Sequence, residues 1–124
     1  MSTPGELAVA FNAAITAADP DALAALMADD HVFVDSEGNQ VTGRQACVAA
    51  WEGFFAAFPG YRNTFDEIRA HEATAVMRGR STCPGHPELT GPALWRAETR
   101  GDQLTAWQVH GDTAENRALL WPAS

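Results

Sequence analysis

Asp35 closes a short apolar run, Val32-Phe33-Val34, and the next residues, Ser36-Glu37-Gly38-Asn39, are turn formers. Side chains alternate along a strand, so His31, Phe33 and Asp35 share one face and Val32 and Val34 the other. A carboxylate in that setting can take a proton from a carbon beside a carbonyl and return it elsewhere. Apolar neighbours would raise its pKa and make it a stronger base. The same residue also reads as a plain turn former that ends the strand. Both readings stand at this level.

Other chemistry-bearing residues are sparse. The four histidines, His31, His71, His86 and His110, show no metal-ligand spacing beyond Cys83-Pro84-Gly85-His86, and that stretch reads as a loop. No Gly-rich phosphate loop and no Gly-x-Ser-x-Gly elbow appears. Arg100-Gly101-Asp102 reads as a hairpin turn. No metal and no cofactor is expected.

The elements that position these residues follow from periodicity and caps. Thr3-Pro4-Gly5-Glu6 predicts a helix start with a capping box, and Leu7, Phe11 and Ile15 make one helical face. Asp19-Pro20 starts a second, short helix with Leu23, Leu26 and Met27 inward. A strand spans 31–35. Thr42-Gly43-Arg44-Gln45 is a second capping-box pattern, opening a helix whose apolar face is Cys47, Trp51, Phe54, Phe55 and Phe58; Pro59-Gly60 ends it. Strands are predicted over 61–70, 74–83, 91–99 and 103–111. Their short connections favour antiparallel hairpins. Asp112 is expected to cap a last helical turn or two. Helices followed by a meander predict an α+β fold, one domain over residues 1–124, with helices packed on one face of a bent sheet.

Composition bounds the partners. The chain has 124 residues, 46% of them apolar, enough for a real core. Its net charge is −8, with eight arginines and no lysine, which argues against nucleic acid and anionic membrane. No apolar run approaches the roughly 20 residues of a membrane span. The N-terminus lacks the basic region of a signal peptide, and two cysteines fit a reduced, cytoplasmic setting.

The order of elements, together with "ADPDALAALMADD", the strand ending in Asp35, the Gly43-Arg44 helix start, "FFAAFPGYR" and the final "LTAWQVHGD", resembles the NTF2-like superfamily. The likeness is to its SnoaL-like and ketosteroid-isomerase-like branch, and it spans nearly the whole chain. It implies a cone: N-terminal helices on a strongly curved, mainly antiparallel sheet around an apolar cavity. It also implies a homodimer through the outer sheet face; Gln108 and His110, which alternate away from Trp107 and Val109, are expected near the interface. Function varies widely on this fold, so the site must carry the argument.

The resemblance turns Asp35 toward the cavity, at the position of the isomerase general base. It also marks where the pattern fails. The oxyanion donors of the steroid isomerases, a first-helix tyrosine and a later-strand aspartic acid, fall on Phe11 and near Ala93, which cannot donate. The last-strand carboxylate of the epoxide-hydrolase branch falls near Val109. The polyketide-cyclase branch uses an acid with polar helpers, a part open to Asp35, His31 or His110. Trp51, Phe55, Trp95 and Trp107 fall on the predicted inner faces, and Phe11, Phe33 and Phe58 can join them to line a cavity for a flat, apolar ligand. Hydrophobicity turns Met77 inward; a register taken from the family turns Arg78 inward instead, where it could pair with Asp35 or hold an anion. The leading expectation is a cofactor-free isomerase, cyclase or dehydratase acting on an apolar carbonyl compound. Its rival is a non-catalytic ligand-binding or accessory protein.

Overall fold

Thr3 and Glu6 cap the first helix reciprocally, as their spacing predicts. The Glu6 N–H donates to the Thr3 hydroxyl at 3.1 Å, and the Thr3 N–H donates to the Glu6 carboxylate at 2.9 Å. With Pro4 at its start, helix α1 runs Pro4–Thr16. Thr3→Ala leaves one of these donors unpaired and is expected to cost about 1 kcal/mol. A lowered urea midpoint at unchanged slope checks it. Asp19 caps α2, Pro20–Leu26, by accepting from the Ala22 N–H at 3.1 Å.

The computed structural model describes residues 2–121. After α2 come β1 (Met27–Val34), β2 (Gln40–Thr42), α3 (Arg44–Ala57), β3 (Arg62–His71), β4 (Thr74–Thr82), a 3₁₀ turn (Pro87–Leu89), β5 (Gly91–Arg100), β6 (Gln103–Gly111) and α4 (Ala114–Leu120). The strands form one sheet in the order β2-β1-β6-β5-β4-β3. β1 runs parallel to β6, and every other pairing among the described residues is antiparallel. The fold is α+β. α1 packs on β3, β4 and β5, and α3 packs on β1. No helix among the described residues is long and apolar enough to cross a membrane.

Four local readings are corrected. Met27 belongs to β1, not α2: it pairs with Leu104 of β6, and its carbonyl accepts from the Gln103 side chain at 3.2 Å, so tertiary pairing overrides its helical spacing. Residues 40–42, unassigned from sequence, form β2 because Val41 and Thr42 pair with Phe33 and Val32. That pairing removes Thr42 from the cap of α3. Gly43 is the N-cap instead, at φ 98°, a conformation open to glycine, with its N–H on the His31 carbonyl at 2.7 Å. At the far end, Thr113 rather than Asp112 caps α4, accepting from the Asn116 N–H at 3.0 Å.

The core sits between the helices and the inner sheet face. Phe11 is fully buried, its ring 4.6 Å from Trp107, 5.7 Å from His31 and 6.3 Å from Trp51. Met77, Trp95 and Val109 lie side by side across β4, β5 and β6, as do Ala75, Ala97 and Trp107. Met77 is fully buried in this layer, so hydrophobicity, not the borrowed register, predicted its direction. Arg78 points to the outer face, 3.3 Å from Glu67 and 3.5 Å from Asp112. Asp112 also meets Arg117 at 2.8 Å, so these charges pin α4 against the outer face. The Arg69 guanidinium lies 4.8 Å from the centre of the Trp121 ring. Gln108 and His110 lie on the same outer face, half-buried and joined at 3.0 Å.

Candidate functional site

Five segments meet at one end of the inner face: the end of β1, the middle of α3, the turn into β3, the β4–β5 connection and the end of β6. Each is held there locally. Phe58 closes α3 on the Phe54 carbonyl at 2.8 Å, and Pro59-Gly60 (Gly60 at φ 86°) then turns the chain so that Tyr61 enters beside Phe54. The β4–β5 connection is tied by Thr90, whose hydroxyl accepts from the Cys83 N–H at 3.3 Å, and by His86, edge-on to Phe58 at 4.8 Å. That connection carries Leu89.

Between these segments lies a cavity of about 210 Å³. Phe33, Trp51, Phe54, Leu89 and Val109 make its apolar wall, Tyr61 closes one side, and Asp35 and Ser36 stand at its edge. The rings meet edge to face: Phe33 with Trp51 at 5.3 Å, Trp51 with Phe54 at 5.7 Å, Phe54 with Tyr61 at 4.8 Å. Such contacts fix the wall's shape more firmly than aliphatic packing does.

Asp35 reaches this cavity while serving its own turn. Its Oδ1 accepts from the N–H groups of Glu37 and Asn39, each at 2.9 Å, and its Oδ2 accepts from the Asn39 side chain at 3.1 Å. Burial pushes its pKa up, but the bonds from Asn39, Glu37 and Gly38 outweigh that and hold it below the usual value. The expected raised pKa is therefore corrected. The apolar wall lies on one side only, and the turn amides stabilise the anion from the other. Asp35 is a permanently ionised acceptor at neutral pH, with Oδ2 the less committed oxygen.

Of the residues expected to line a cavity, the structure brings Asp35, Phe33 and Trp51 together. Phe11, Trp95 and Trp107 are fully buried in the core. Phe55 and Phe58 are half-buried and pack on Trp51 and Phe54 respectively. His31 is fully buried; its Nδ1 donates to the Leu104 carbonyl at 2.8 Å, and burial lowers its pKa, keeping it neutral. Arg78 faces away, so Arg78→Ala is expected to leave ligand affinity unchanged in a binding titration. The sequence reading passed over Ser36, Ala50, Phe54, Tyr61, Leu89 and Val109 as lining residues. The signal for Tyr61 was present: it directly follows the Pro59-Gly60 helix stop. Cys83 lies near the carbonyls of Phe58 and Pro59, and His86 bonds Glu88 at 2.8 Å, so the two point to different partners.

A family described as the SnoaL-like domain matches residues 8–114. The chain belongs to this family. Solved structures agree on the fold of this SnoaL-like protein. A putative SnoaL-like polyketide cyclase from Shewanella denitrificans superposes with a TM-score of 0.78 at 17% identity, covering 86% of this chain and 88% of that one. An epoxide hydrolase of the LEH-like type from M. tuberculosis gives 0.77 at 17% identity, over 88% of this chain and 78% of its own. A protein with a ketosteroid isomerase-like fold from Catenulispora acidiphila, solved with trimethylamine, gives 0.71 at 26% identity, over 88% and 86%. A comparison with curated proteins finds no match.

Proposed function

We propose that this SnoaL-like protein binds a small, ring-bearing carbonyl compound in the cavity beside Asp35 and moves a proton on it without a cofactor, with Asp35 as the acceptor. The observation that carries the reading is the lining itself: an apolar, largely aromatic wall with one carboxylate at its edge. A ring would seat against Phe33, Trp51 and Phe54, and Oδ2 of Asp35 would take the proton. A carboxylate held at a low pKa is a weak base. It suits carbon acids activated twice, by a carbonyl and by a ring or second carbonyl. Isomerisation, cyclisation and dehydration all begin with that step. They differ in where the proton or the carbon–carbon bond goes next. Polyketide cyclases among the structural neighbours have chemistry of this kind in their names.

The test uses 2-tetralone, whose C1 hydrogens are activated by a ring and a carbonyl. Titration should quench the fluorescence of Trp51 in the wall and shift the Phe33 and Val109 resonances. A ligand that binds but perturbs none of the three overturns the site.

One observation favours a second reading, a non-catalytic ligand-binding or accessory protein. Both oxygens of Asp35 already serve a turn. The Asp35 variant treated in the Discussion separates the two readings. Assembly belongs to the same proposal: a homodimer through the outer face, with Gln108 and His110 near the contact. α4 covers part of that face from within the chain, which leaves the β1–β6 side for a partner. A light-scattering mass of one chain at micromolar concentration overturns the dimer.

A further inference from the structure

A second lobe of about 220 Å³ adjoins this cavity, and Ser36, Tyr61, Leu89 and Val109 line both. The first lobe is walled by rings; the second adds Ser81, Glu88 and Thr90. Tyr61 stands at the junction. Its ring belongs to the aromatic wall, perpendicular to Phe54, and its hydroxyl lies 3.3 Å from the Ser81 hydroxyl.

Proton counting sets the direction of this contact. Ser81 donates to Oδ1 of Asn63 at 2.8 Å, and both side chains are more than nine-tenths buried. Ser81 has one hydroxyl proton and Oδ1 is acceptor only, so Ser81 can only accept from Tyr61. A hydroxyl pair normally sits at about 2.7–2.8 Å, so the Tyr61 proton is loosely held across its longer contact. A ligand oxygen at ordinary distance would take it. Burial raises the Tyr61 pKa, with the Ser81 and Asn63 bonds opposing, so the phenol stays protonated through neutral pH.

We infer that the two lobes form one bipartite site for a ring compound bearing a neutral oxygen function, the ring against Phe33, Trp51 and Phe54 and the oxygen hydrogen-bonded by the Tyr61 hydroxyl. The inference rests on the ring-binding reading above and names what that reading lacks, a donor for the carbonyl oxygen, since Phe11 and Ala93 cannot supply one. The acids lining the two lobes, Asp35 and Glu88, select a neutral substituent over a carboxylate.

Matched probes test this: naphthalene, 2-naphthol and 2-naphthoate, titrated into the full chain by tryptophan fluorescence. The wild type should bind 2-naphthol roughly 5- to 10-fold tighter than naphthalene, the usual share of one hydrogen bond. It should bind 2-naphthoate more weakly than 2-naphthol. Tyr61→Phe keeps the ring and should erase the preference, so that naphthalene and 2-naphthol bind alike. Ser81→Ala removes the competing acceptor and should keep the preference. A preference that survives Tyr61→Phe, or one lost equally in Ser81→Ala, makes the pair a structural strut and overturns the inference. Equal binding of naphthalene and 2-naphthol by the wild type overturns the Tyr61 role alone and leaves the aromatic cavity standing. Failure of every probe to bind overturns both readings.

Discussion

Asp35→Asn is expected to slow enzyme-catalysed deuterium exchange at C1 of 2-tetralone by about 100-fold or more, the usual share of a general base. The substitution suits the geometry. The asparagine oxygen can still accept from the Glu37 and Asn39 N–H groups, so the turn survives. The new amide nitrogen meets the Asn39 amide, donor to donor, and that one bond is lost. The stability cost should be about 1 kcal/mol, far too little to unfold the cavity. Ligand affinity should barely change, so the effect falls on the rate. The pH profile gives a second check. Because the folded-state pKa of Asp35 is depressed, its stabilising contribution is full above the unfolded-state value of about 3.9 and is lost as pH falls through the folded value. Exchange should therefore be flat through neutral pH and decline only in acid. An exchange rate that is the same in wild type and variant would leave Asp35 as a turn former and favour the non-catalytic reading.

Gly79→Ala should destabilise the fold by about 3 kcal/mol or more, although the site is a strand interior with ordinary backbone angles. The reason is a close approach. A Cβ added at Gly79 would collide with the Thr64 carbonyl oxygen and lie 2.9 Å from its carbon and 3.0 Å from the Phe65 Cα. All three are backbone atoms, so no rotamer change relieves the clash. The register of β3 on β4 shifts between Phe65 and Glu67, a bulge that brings the β3 backbone down over Gly79. To admit the methyl group, β3 must move as a unit. The melting temperature should drop by roughly 10 °C or more. Gly53→Ala is the control of opposite sign. Gly53 sits exposed within α3 with nothing near its would-be Cβ, so alanine there should stabilise by up to about 1 kcal/mol through helix propensity. Equal effects of the two substitutions would show that the bulge, not the glycine type, has been misread.

What was legible in the sequence was whatever depends on neighbours close along the chain. The capping box at Thr3, the proline starts of α1 and α2, the helix stop at Pro59-Gly60 and the hairpin strands all rest on contacts a few residues apart, and they stand. Asp35 at a strand end before a turn is such a local fact too. The sequence left the facing of β4 open, hydrophobicity turning Met77 inward and the borrowed register Arg78; the structure buries Met77 and leaves Arg78 outside, because a fully buried charge without a partner is costly. What failed depended on pairing at a distance. Met27 looks helical until Leu104, 77 residues later, pairs with it in parallel. Thr42 looks like a cap until Val32 claims it as a strand partner. The same limit governs the site. Aromatic residues at inward positions are indistinguishable in sequence, yet the fold buries Phe11, Trp95 and Trp107 in the core and leaves Phe33, Trp51 and Phe54 on a cavity wall. The pKa of Asp35 was decided in the same way. Its sequence neighbours are apolar on one side and amide-rich on the other, and only the folded turn shows that the amides win. Local spacing sets which elements form, because capping and periodicity act within a few residues. Tertiary structure sets which faces meet, and therefore which side chains border empty space, which hydroxyl can spare its proton, and which carboxylate stays charged.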